Sequence, residues 1–188
     1  MTNKMPQKNV NADSCVVLPL SGDMDVSGFD CGDADLNDFL QTDALKNQKE
    51  WFSVTKVLFL DDALAGYFTI VADTLHKGRV AEPDAVSGYP YQKYPAVKLA
   101  RLAVDVRFQH QGIGSILMEE FFDAAYSCVE GDGGRFLTVD SVPSARTFYE
   151  RFGFRAVSSL ADEETVPMYL DFYKFYLLSR EIFESRSV

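Results

Sequence analysis

Apolar and polar positions follow a regular order between Lys98 and Cys128. The apolar run from Leu99 to Val104 is long enough for a strand, and the polar stretch from Asp105 to Gln111 is typical of a connection. Beyond that connection, apolar residues recur once per helical turn with acidic residues between them, which predicts an amphipathic helix over residues 112–128. The predicted apolar face of this helix contains Ile113, Ile116, Leu117, Phe121, Ala125 and Cys128.

The pattern upstream of this segment predicts a strand, a helix and a hairpin. Cys15 to Leu20 is a short apolar run typical of a strand. Thr55 to Leu60 and Leu64 to Val71 are β-rich runs separated by a short acidic turn, which predicts an antiparallel hairpin. Residues 74–96 contain three prolines and are predicted as a long connection. The helix begins after Asp33, a suitable N-cap, and its apolar face contains Leu36, Phe39, Leu40 and Ala44.

The pattern downstream predicts a return to the sheet. Phe136 to Val139 is a strand that can lie parallel to the strand at 99–104, because a helix connects the two. A short helix follows and ends at Gly153, a residue type favoured just beyond a helix C-terminus. Residues 155–159 and Val166 to Phe175 are predicted as the last strands.

These elements predict one α/β domain, which some schemes class as α+β. Its sheet is expected to be mixed, twisted and mainly antiparallel, with a parallel central pair and flanking helices. A chain of 188 residues suits one domain with a substantial core. We expect a flexible N-terminal tail over residues 1–12, the domain over residues 13–175, and a C-terminal helix or tail of the same domain over residues 176–188.

Composition narrows the class of protein further. Apolar residues make up 47% of the chain and aromatic residues 13%, which is typical of a globular protein and excludes general disorder. No apolar run approaches the ~20 residues that a membrane-spanning helix needs, and the first eleven residues are polar, so a cytoplasmic protein without membrane partners is expected. The three cysteines lack metal-ligand spacing; we expect free or buried thiols and no metal site.

The net charge of −10 argues against general nucleic-acid binding, because phosphates repel an acidic chain unless its charge is segregated. Seven aspartates and no basic residue lie between Asp23 and Asp43, which is either a solvated face or a surface that attracts a cation. A small group of basic residues lies near the predicted turn before the central helix: Lys93, Lys98, Arg101 and Arg107.

Gly112 and Gly114 give this turn two chemical interpretations. Glycine lets backbone approach a ligand closely, and the first N–H groups of a helix have no intrahelical partner, so the turn can bind an anion such as a pyrophosphate. A glycine turn can also serve only to pack a strand against a helix. A dinucleotide-binding fingerprint needs a third glycine and a Walker-type loop needs Gly-Lys-Ser/Thr, and neither is present.

The residues Gln109-His110-Gln111-Gly112-Ile113-Gly114 resemble the Gln/Arg-x-x-Gly-x-Gly/Ala signature of the GNAT superfamily of N-acetyltransferases, in the same place between a strand and a long helix. The resemblance implies that this loop and helix start bind the pyrophosphate of acetyl-CoA, as a co-substrate. It also implies that the preceding strand offers backbone groups to the pantetheine arm. The implied acetyl-CoA-binding residues are Leu102, Ala103, Val104, Gln109, His110, Gln111, Gly112, Ile113, Gly114 and Ser115.

Two further segments resemble the same superfamily, and together the similarities cover roughly residues 13–175. The run from Phe29 to Gly32, with the helix after it, is similar to a bacterial subgroup that includes acetyltransferase toxins. The run from Ala145 to Phe154 specifically resembles GNAT enzymes. Within that run the resemblance implies that Tyr149 is the general acid that protonates the CoA thiolate. Without the resemblance, a tyrosine beside two phenylalanines is typical of core packing.

The sequence does not indicate a general base. Asp73, Asp105 and Asp140 lie near predicted strand ends, but aspartates there are usually turn residues. His110 lies within the glycine turn, where a solvated position is favoured. A chain of waters, or an acceptor that is already deprotonated, would serve equally well.

Three functions fit these features. The sequence favours an N-acetyltransferase that acts on a primary amine of a small molecule, peptide or protein. A toxin-type enzyme that acetylates the amino group of aminoacyl-tRNA is the alternative; it ranks second because the chain has only a modest basic cluster. A non-catalytic acyl-CoA sensor is the third. Expected partners are acetyl-CoA and an amine acceptor, with charged tRNA the one nucleic acid kept open; a homodimer is compatible with the sequence.

Overall fold

The computed structural model describes residues 14–157 and 164–186, so the predicted tail over residues 1–12 lies outside the described residues. The strands are β1 (Cys15–Pro19), β2 (Val54–Leu60), β3 (Ala63–His76), β4 (Lys93–Val104), β5 (Phe136–Ser141), β6 (Arg155–Ala156) and β7 (Val166–Asp171). The helices are α1 (Ala34–Asp38), a π-helical turn (Phe39–Asp43), α2 (Ala44–Lys49), α3 (Ile113–Asp132), α4 (Arg146–Glu150) and α5 (Phe172–Arg186).

The described strands form one seven-stranded sheet in the order β1-β2-β3-β4-β5-β7-β6. The pairs β1–β2, β2–β3, β5–β7 and β6–β7 are antiparallel, and β4–β5 is parallel. The predicted α/β class and the parallel central pair are therefore confirmed. The register of that pair runs from Ala96 opposite Phe136 to Leu99 opposite Val139, so the pairing uses residues 96–99 rather than 99–104.

Two strands extend into the stretch 74–96 that the sequence predicted as irregular. β3 continues to His76 and β4 begins at Lys93. Pro95 interrupts the sequence pattern, yet its carbonyl accepts a hydrogen bond from the Arg135 N–H at 2.9 Å. A proline lacks only the donor, so it is tolerated where the strand needs an acceptor at that position.

The backbone divides into two compact units. The first contains the described residues up to Val71 together with Ala100–Ala124, and the second contains Ala72–Leu99 with the described residues from Ala125 onward. A buried cluster in the first unit consists of Leu20, Phe29, Phe39, Leu40, Ala44, Val57, Leu64, Tyr67 and Ala103. A buried cluster in the second unit consists of Leu75, Tyr94, Ala96, Phe136, Val157 and Tyr169.

Local signals explain the first helix and the hairpin. The Asp33 carboxylate accepts hydrogen bonds from the N–H groups of Asp35 and Leu36, which confirms it as the N-cap of α1. Asp61 and Asp62 connect β2 to β3, and both have positive φ, 47° and 65°. Two successive left-handed residues match the right-handed twist of paired strands, and aspartate is one of the side chains that tolerates this conformation.

Several predicted boundaries were wrong by a few residues. The central helix ends at Asp132 instead of residue 128, and the last strand ends at Asp171, where α5 begins one residue later. Cys128 is exposed rather than buried, so the apolar face of α3 stops short of it. Ends shift because periodicity marks the middle of an element better than its hydrogen-bonded limits. The predicted domain limits at 13 and 175 stay a prediction.

Gly66 in β3 allows α3 to approach the sheet closely. A Cβ at this position would lie 2.8 Å from the carbonyl oxygen of Ala103 in β4 and 2.9 Å from the Leu117 side chain in α3. The backbone oxygen cannot rotate away as a flexible side chain can. The close packing of α3 therefore depends on the absence of a side chain at residue 66.

We expect Gly66→Ala to destabilise the fold by about 1–3 kcal/mol, the usual cost of an extra methyl group in a packed core. Gly131→Ala is the matched control, because a Cβ there meets nothing within 4 Å and lies in helix α3. Alanine is the better helix former, so this variant should be neutral or more stable. Urea unfolding measures both, and equal stability of the two variants would contradict the close-packing argument.

Candidate functional site

The connection between β4 and α3 is organised by the buried carboxylate of Asp105. Its side chain is 1% exposed and accepts hydrogen bonds from the Asp30 N–H at 3.2 Å and the Arg107 N–H at 3.0 Å. The Arg107 guanidinium adds two more, from Nε at 2.7 Å and Nη2 at 2.9 Å. Burial by itself would raise the pKa of Asp105, but these hydrogen bonds outweigh it and lower the pKa below its ordinary value.

Two glutamine side chains complete the connection. Gln109 donates from Nε2 to the carbonyl oxygens of Cys31 at 2.9 Å and Val104 at 3.0 Å. Gln111 donates from Nε2 to the carbonyl oxygen of Arg107 at 2.8 Å, which closes the loop on itself. Both amide side chains thus hold the loop in shape, and its backbone N–H groups are left as the natural donors to a ligand.

The start of α3 has the features of an anion site. Gly112 has φ of +95°, and a Cβ added there would meet nothing within 4 Å. Its carbonyl accepts the N–H groups of Ser115 at 2.9 Å and Ile116 at 3.2 Å, so the helix begins immediately after it. The N–H groups of Ile113 and Gly114 come before these hydrogen bonds, at the helix start where N–H groups cannot pair within the helix, and the first turn carries no acidic residue.

The other residues predicted to bind acetyl-CoA divide into buried and accessible positions. Ile113 is 1% exposed and Ala103 is 4% exposed, so their side chains belong to the core and only their backbone can contact a ligand. Leu102, Val104, Gly114 and Ser115 are half-buried, and His110 is exposed with a left-handed φ of 61°. The loop 109–115 therefore offers mainly backbone groups, which fits the phosphates and amide-rich arm of a CoA thioester.

Tyr149 lies in α4, within the second unit. It is 7% exposed and packs edge-on against Phe148, with ring centroids 5.2 Å apart, and against Phe154 at 6.0 Å. Gly153, at φ of +88°, ends this segment as the sequence predicted. Burial raises the pKa of the Tyr149 phenol to about 12, so the hydroxyl keeps its proton at neutral pH. The phenol is therefore in the protonated form that a proton donor needs.

The three strand-end aspartates already have partners. Asp73 accepts hydrogen bonds from the Thr138 hydroxyl at 2.6 Å and the Thr74 N–H at 2.7 Å. Asp140 forms an ion pair with Lys98, and Asp105 is engaged with Arg107. Their roles are structural, as expected for carboxylates at strand ends.

The predicted basic cluster carries less free charge than its composition indicates. Lys98 and Arg107 are each paired with a carboxylate, and the Arg101 guanidinium lies 3.7 Å from the centroid of the Phe39 ring. A cation over an aromatic face keeps its charge but is held in place. Three of the four basic residues are therefore engaged by neighbouring side chains, whereas Lys93 is exposed.

A buried polar network surrounds Asp84, and no pattern in the sequence predicted it. This residue lies in the predicted connection, yet it is 6% exposed and accepts hydrogen bonds from the Tyr169 hydroxyl at 3.1 Å, Arg155 Nη1 at 2.9 Å and Lys174 Nζ at 3.0 Å. Its partners are 71 to 90 residues away in sequence. The network fixes the connection in the second unit, so this connection is ordered packing rather than a free linker.

Within residues 14–157 and 164–186, no cluster of three or more His, Cys, Asp and Glu side chains is arranged to hold a metal ion. Over the same residues, no helix combines the length and apolar character needed to cross a membrane.

Comparison with known proteins agrees with the resemblance seen in the signature. Residues 32–170 match a family model described as an acetyltransferase (GNAT) domain. The chain is also 31% identical over 134 residues to a tRNA-acetylating toxin of Mycobacterium tuberculosis (strain ATCC 25618 / H37Rv), across 69% of this chain and 78% of the relative.

Solved structures show the same similarity. AtaT complexed with acetyl-methionyl-tRNAfMet has a TM-score of 0.78 and 25% identity, over 87% of this chain and 98% of AtaT. AtaTR bound with acetyl-CoA has a TM-score of 0.73 and 26% identity, over 88% of this chain and 98% of the other. The chain therefore belongs to the GNAT acetyltransferase family, in the subgroup that resembles the toxin-type enzymes, and is an acyltransferase with acetyl-CoA as its co-substrate.

Proposed function

We propose that this enzyme transfers the acetyl group of acetyl-CoA to the amino group of an aminoacyl-tRNA. The observation that carries the proposal is the 31% identity to a tRNA-acetylating toxin across 78% of that protein. The similarity to AtaT, solved with an acetylated aminoacyl-tRNA, supports the same acceptor. On sequence alone, aminoacyl-tRNA ranked second as the acceptor because of the net charge of the chain. It is now the first choice.

The acidic stretch gives less support to a cationic small-molecule acceptor than its composition indicates. A hydrogen bond from the Ser21 hydroxyl lowers the pKa of Asp23, and two hydrogen bonds from Ser27 lower the pKa of Asp25. Hydrogen bonds from the Gly32 N–H and the Asn37 amide lower the pKa of Asp30. Asp33 caps α1. These carboxylates shape local turns and a helix start, so the stretch has a structural explanation that requires no ligand.

We assign acetyl-CoA binding to the loop 109–115 and the end of β4. In this assignment the phosphates accept hydrogen bonds from the backbone N–H groups at the start of α3, helped by the helix dipole. The open space beside Gly112 and the absence of an acidic residue in the first turn support it. The Gln109 and Gln111 side chains act by holding the loop, since both already donate to backbone carbonyls.

We assign proton delivery to Tyr149. The amine lone pair attacks the thioester carbonyl carbon, the new C–N bond forms, the C–S bond breaks, and the departing thiolate takes the phenolic proton. The nitrogen loses its extra proton to solvent as the amide forms, and the phenolate takes a proton back from solvent. Burial that raises the phenol pKa to about 12 keeps this proton in place until it is needed. The resemblance of the Phe148-Tyr149-Glu150 run to other GNAT enzymes supports the choice of residue.

The lack of an assigned general base among the described residues is consistent with an α-amino acceptor. An α-amino group has an ordinary pKa of about 8, so an appreciable fraction is neutral at neutral pH, whereas a lysine amine at about 10.4 is almost fully protonated. Asp73, Asp105 and Asp140 are all engaged in structural contacts. An enzyme that accepts α-amino groups can therefore work without a dedicated carboxylate or histidine base.

The acceptor is tested by supplying labelled acetyl-CoA with charged and uncharged tRNA. We expect label to enter charged tRNA, and to be absent both from uncharged tRNA and from charged tRNA whose amino group is already blocked. Polyamines and lysine peptides serve as competing acceptors. Transfer to these amines with none to charged tRNA would overturn the proposal and restore the small-amine acceptor.

The donor site is tested with Gly112→Val. A Cβ branch at this left-handed position should block the backbone N–H groups, and losing one hydrogen bond to a charged group lowers affinity for acetyl-CoA roughly 10- to 100-fold. Gly133→Val is the matched control, since Gly133 is exposed, has φ of +82° and would also place its Cβ in open space. Calorimetric titration should show weakened binding only in the first variant; equal affinities would make the Gly112 turn purely structural.

The general acid is tested with Tyr149→Phe, which removes one oxygen and little packing. We expect kcat to fall by about 10² to 10⁴, with the KM for acetyl-CoA and the unfolding midpoint nearly unchanged. Tyr169→Phe is the control, because it removes the hydrogen bond to Asp84 and should lower stability while kcat is retained. Full turnover in Tyr149→Phe would assign proton delivery to water instead.

A further inference from the structure

The cap that follows the C-terminus of α2 contains a residue type that is unusual at that position. The Phe52 N–H donates to the Asn47 carbonyl at 2.8 Å and the Trp51 N–H donates to the Gln48 carbonyl at 3.2 Å, the hydrogen-bond pattern of a Schellman cap. The residue at the centre of this cap adopts a left-handed conformation, and glycine is the usual choice. Here the position is occupied by Trp51, with φ of 61°. A bulky side chain in this conformation is strained.

The strain is not offset by burial. The Trp51 side chain is 94% exposed and the adjacent Phe52 is 71% exposed. The turn that carries them is nonetheless fixed, because the Gln48 side chain donates to the Leu20 carbonyl at 2.7 Å and accepts from the Thr55 N–H at 3.0 Å. Two aromatic rings are therefore held in solvent on an anchored turn, at a cost to stability. Such a combination is characteristic of a binding position.

The charge next to these rings is positive. Between residues 46 and 56 the chain has three lysines and one glutamate, whereas the whole chain has a net charge of −10. Lys46 and Lys49 lie three residues apart, on one face of α2. Lys46 has only an exposed pairing with Asp43 at 3.4 Å, which is weak in water. The helix dipole accounts for lysines in a last turn, but it does not account for the exposed rings.

We infer that Trp51, Phe52, Lys46 and Lys49 form a surface, the Trp51 surface, on which unpaired bases of the tRNA substrate stack. The inference rests on the proposed function and names a part of the enzyme that recognises the acceptor. Exposed aromatic rings stack on any base, and neighbouring lysines neutralise the phosphates that accompany it. Single-stranded nucleotides are chosen because paired bases do not present their faces.

A protein partner or a second copy of the chain fits the surface less well. Such an interface centres on aromatic residues that are buried among apolar neighbours. The Trp51 surface places two rings beside lysines instead, a residue type depleted from the centres of protein interfaces. Aromatic rings combined with positive charge on an acidic protein are complementary to a polyanion with exposed bases.

The chain contains one tryptophan, so emission excited at wavelengths that tyrosine does not absorb reports on Trp51 alone. We expect charged tRNA to quench this emission, because base stacking on an indole quenches it, and added salt to reverse the effect. A duplex RNA without unpaired nucleotides is the control and should quench little. An emission change that depends on protein concentration in the absence of RNA would overturn the inference in favour of an interface between copies.

Variants separate stacking from folding. Trp51→Ala should weaken binding to labelled charged tRNA roughly 5- to 140-fold, the range for losing one stacked base, and should raise the KM for charged tRNA while the KM for acetyl-CoA stays unchanged. Trp51→Gly should bind equally weakly yet unfold at the same or a higher temperature, because glycine relieves the left-handed strain. Tyr173→Ala, an equivalent truncation of another exposed aromatic residue, should retain wild-type tRNA affinity.

The outcomes distinguish this inference from the proposed function. If the wild type acetylates charged tRNA but Trp51→Ala keeps the wild-type KM and the emission is unaffected by tRNA, the Trp51 surface is refuted and the function stands. If the wild type does not acetylate charged tRNA, the proposed function fails. Quenching by charged tRNA that is lost in Phe52→Ala, together with a raised KM, supports the surface directly.

Discussion

The buried carboxylate of Asp105 is the interaction on which the β4–α3 connection depends. It accepts four hydrogen bonds, from the backbone N–H groups of Asp30 and Arg107 and twice from the Arg107 guanidinium. In the backbone of the same residue, the N–H donates to the Ala65 carbonyl at 2.9 Å and the carbonyl accepts from the Phe108 N–H at 2.9 Å. Strand β3, the segment before α1 and the loop are thereby fixed to one residue. A buried carboxylate left without these donors would be costly, so the loop has one well-defined conformation.

The defined loop makes a backbone anion site feasible. N–H groups at a helix start bind phosphate well only when their direction is fixed before the ligand arrives, because ordering them on binding would cost affinity. Gln109 and Gln111 contribute by spending their side-chain donors on carbonyls of the loop and its neighbours. The signature glutamines and glycines thus have complementary tasks: the glutamines hold the backbone, and the glycines leave it accessible.

Charge has to be interpreted residue by residue in this protein. The net charge of −10 argued against RNA, and the aspartates between Asp23 and Asp43 keep that charge, although several of them also hold caps and turns. Three of the four basic residues near the loop are paired or stacked. The exposed lysines near Trp51 are few, but they lie next to aromatic rings on which bases can stack.

The sequence by itself determined the class of fold, the parallel central pair, the helix cap at Asp33, the hairpin and the family signature, because each of these depends on short-range periodicity or on a local motif. It also predicted Tyr149 as the general acid, only by resemblance, and that role stays a prediction. Tertiary structure alone decided that Asp105 and Asp84 are buried network centres and that Trp51 is exposed. The partners of Asp84, 71 to 90 residues away, meet only when the chain folds, and no local pattern encodes such a contact or the exposure of one aromatic ring.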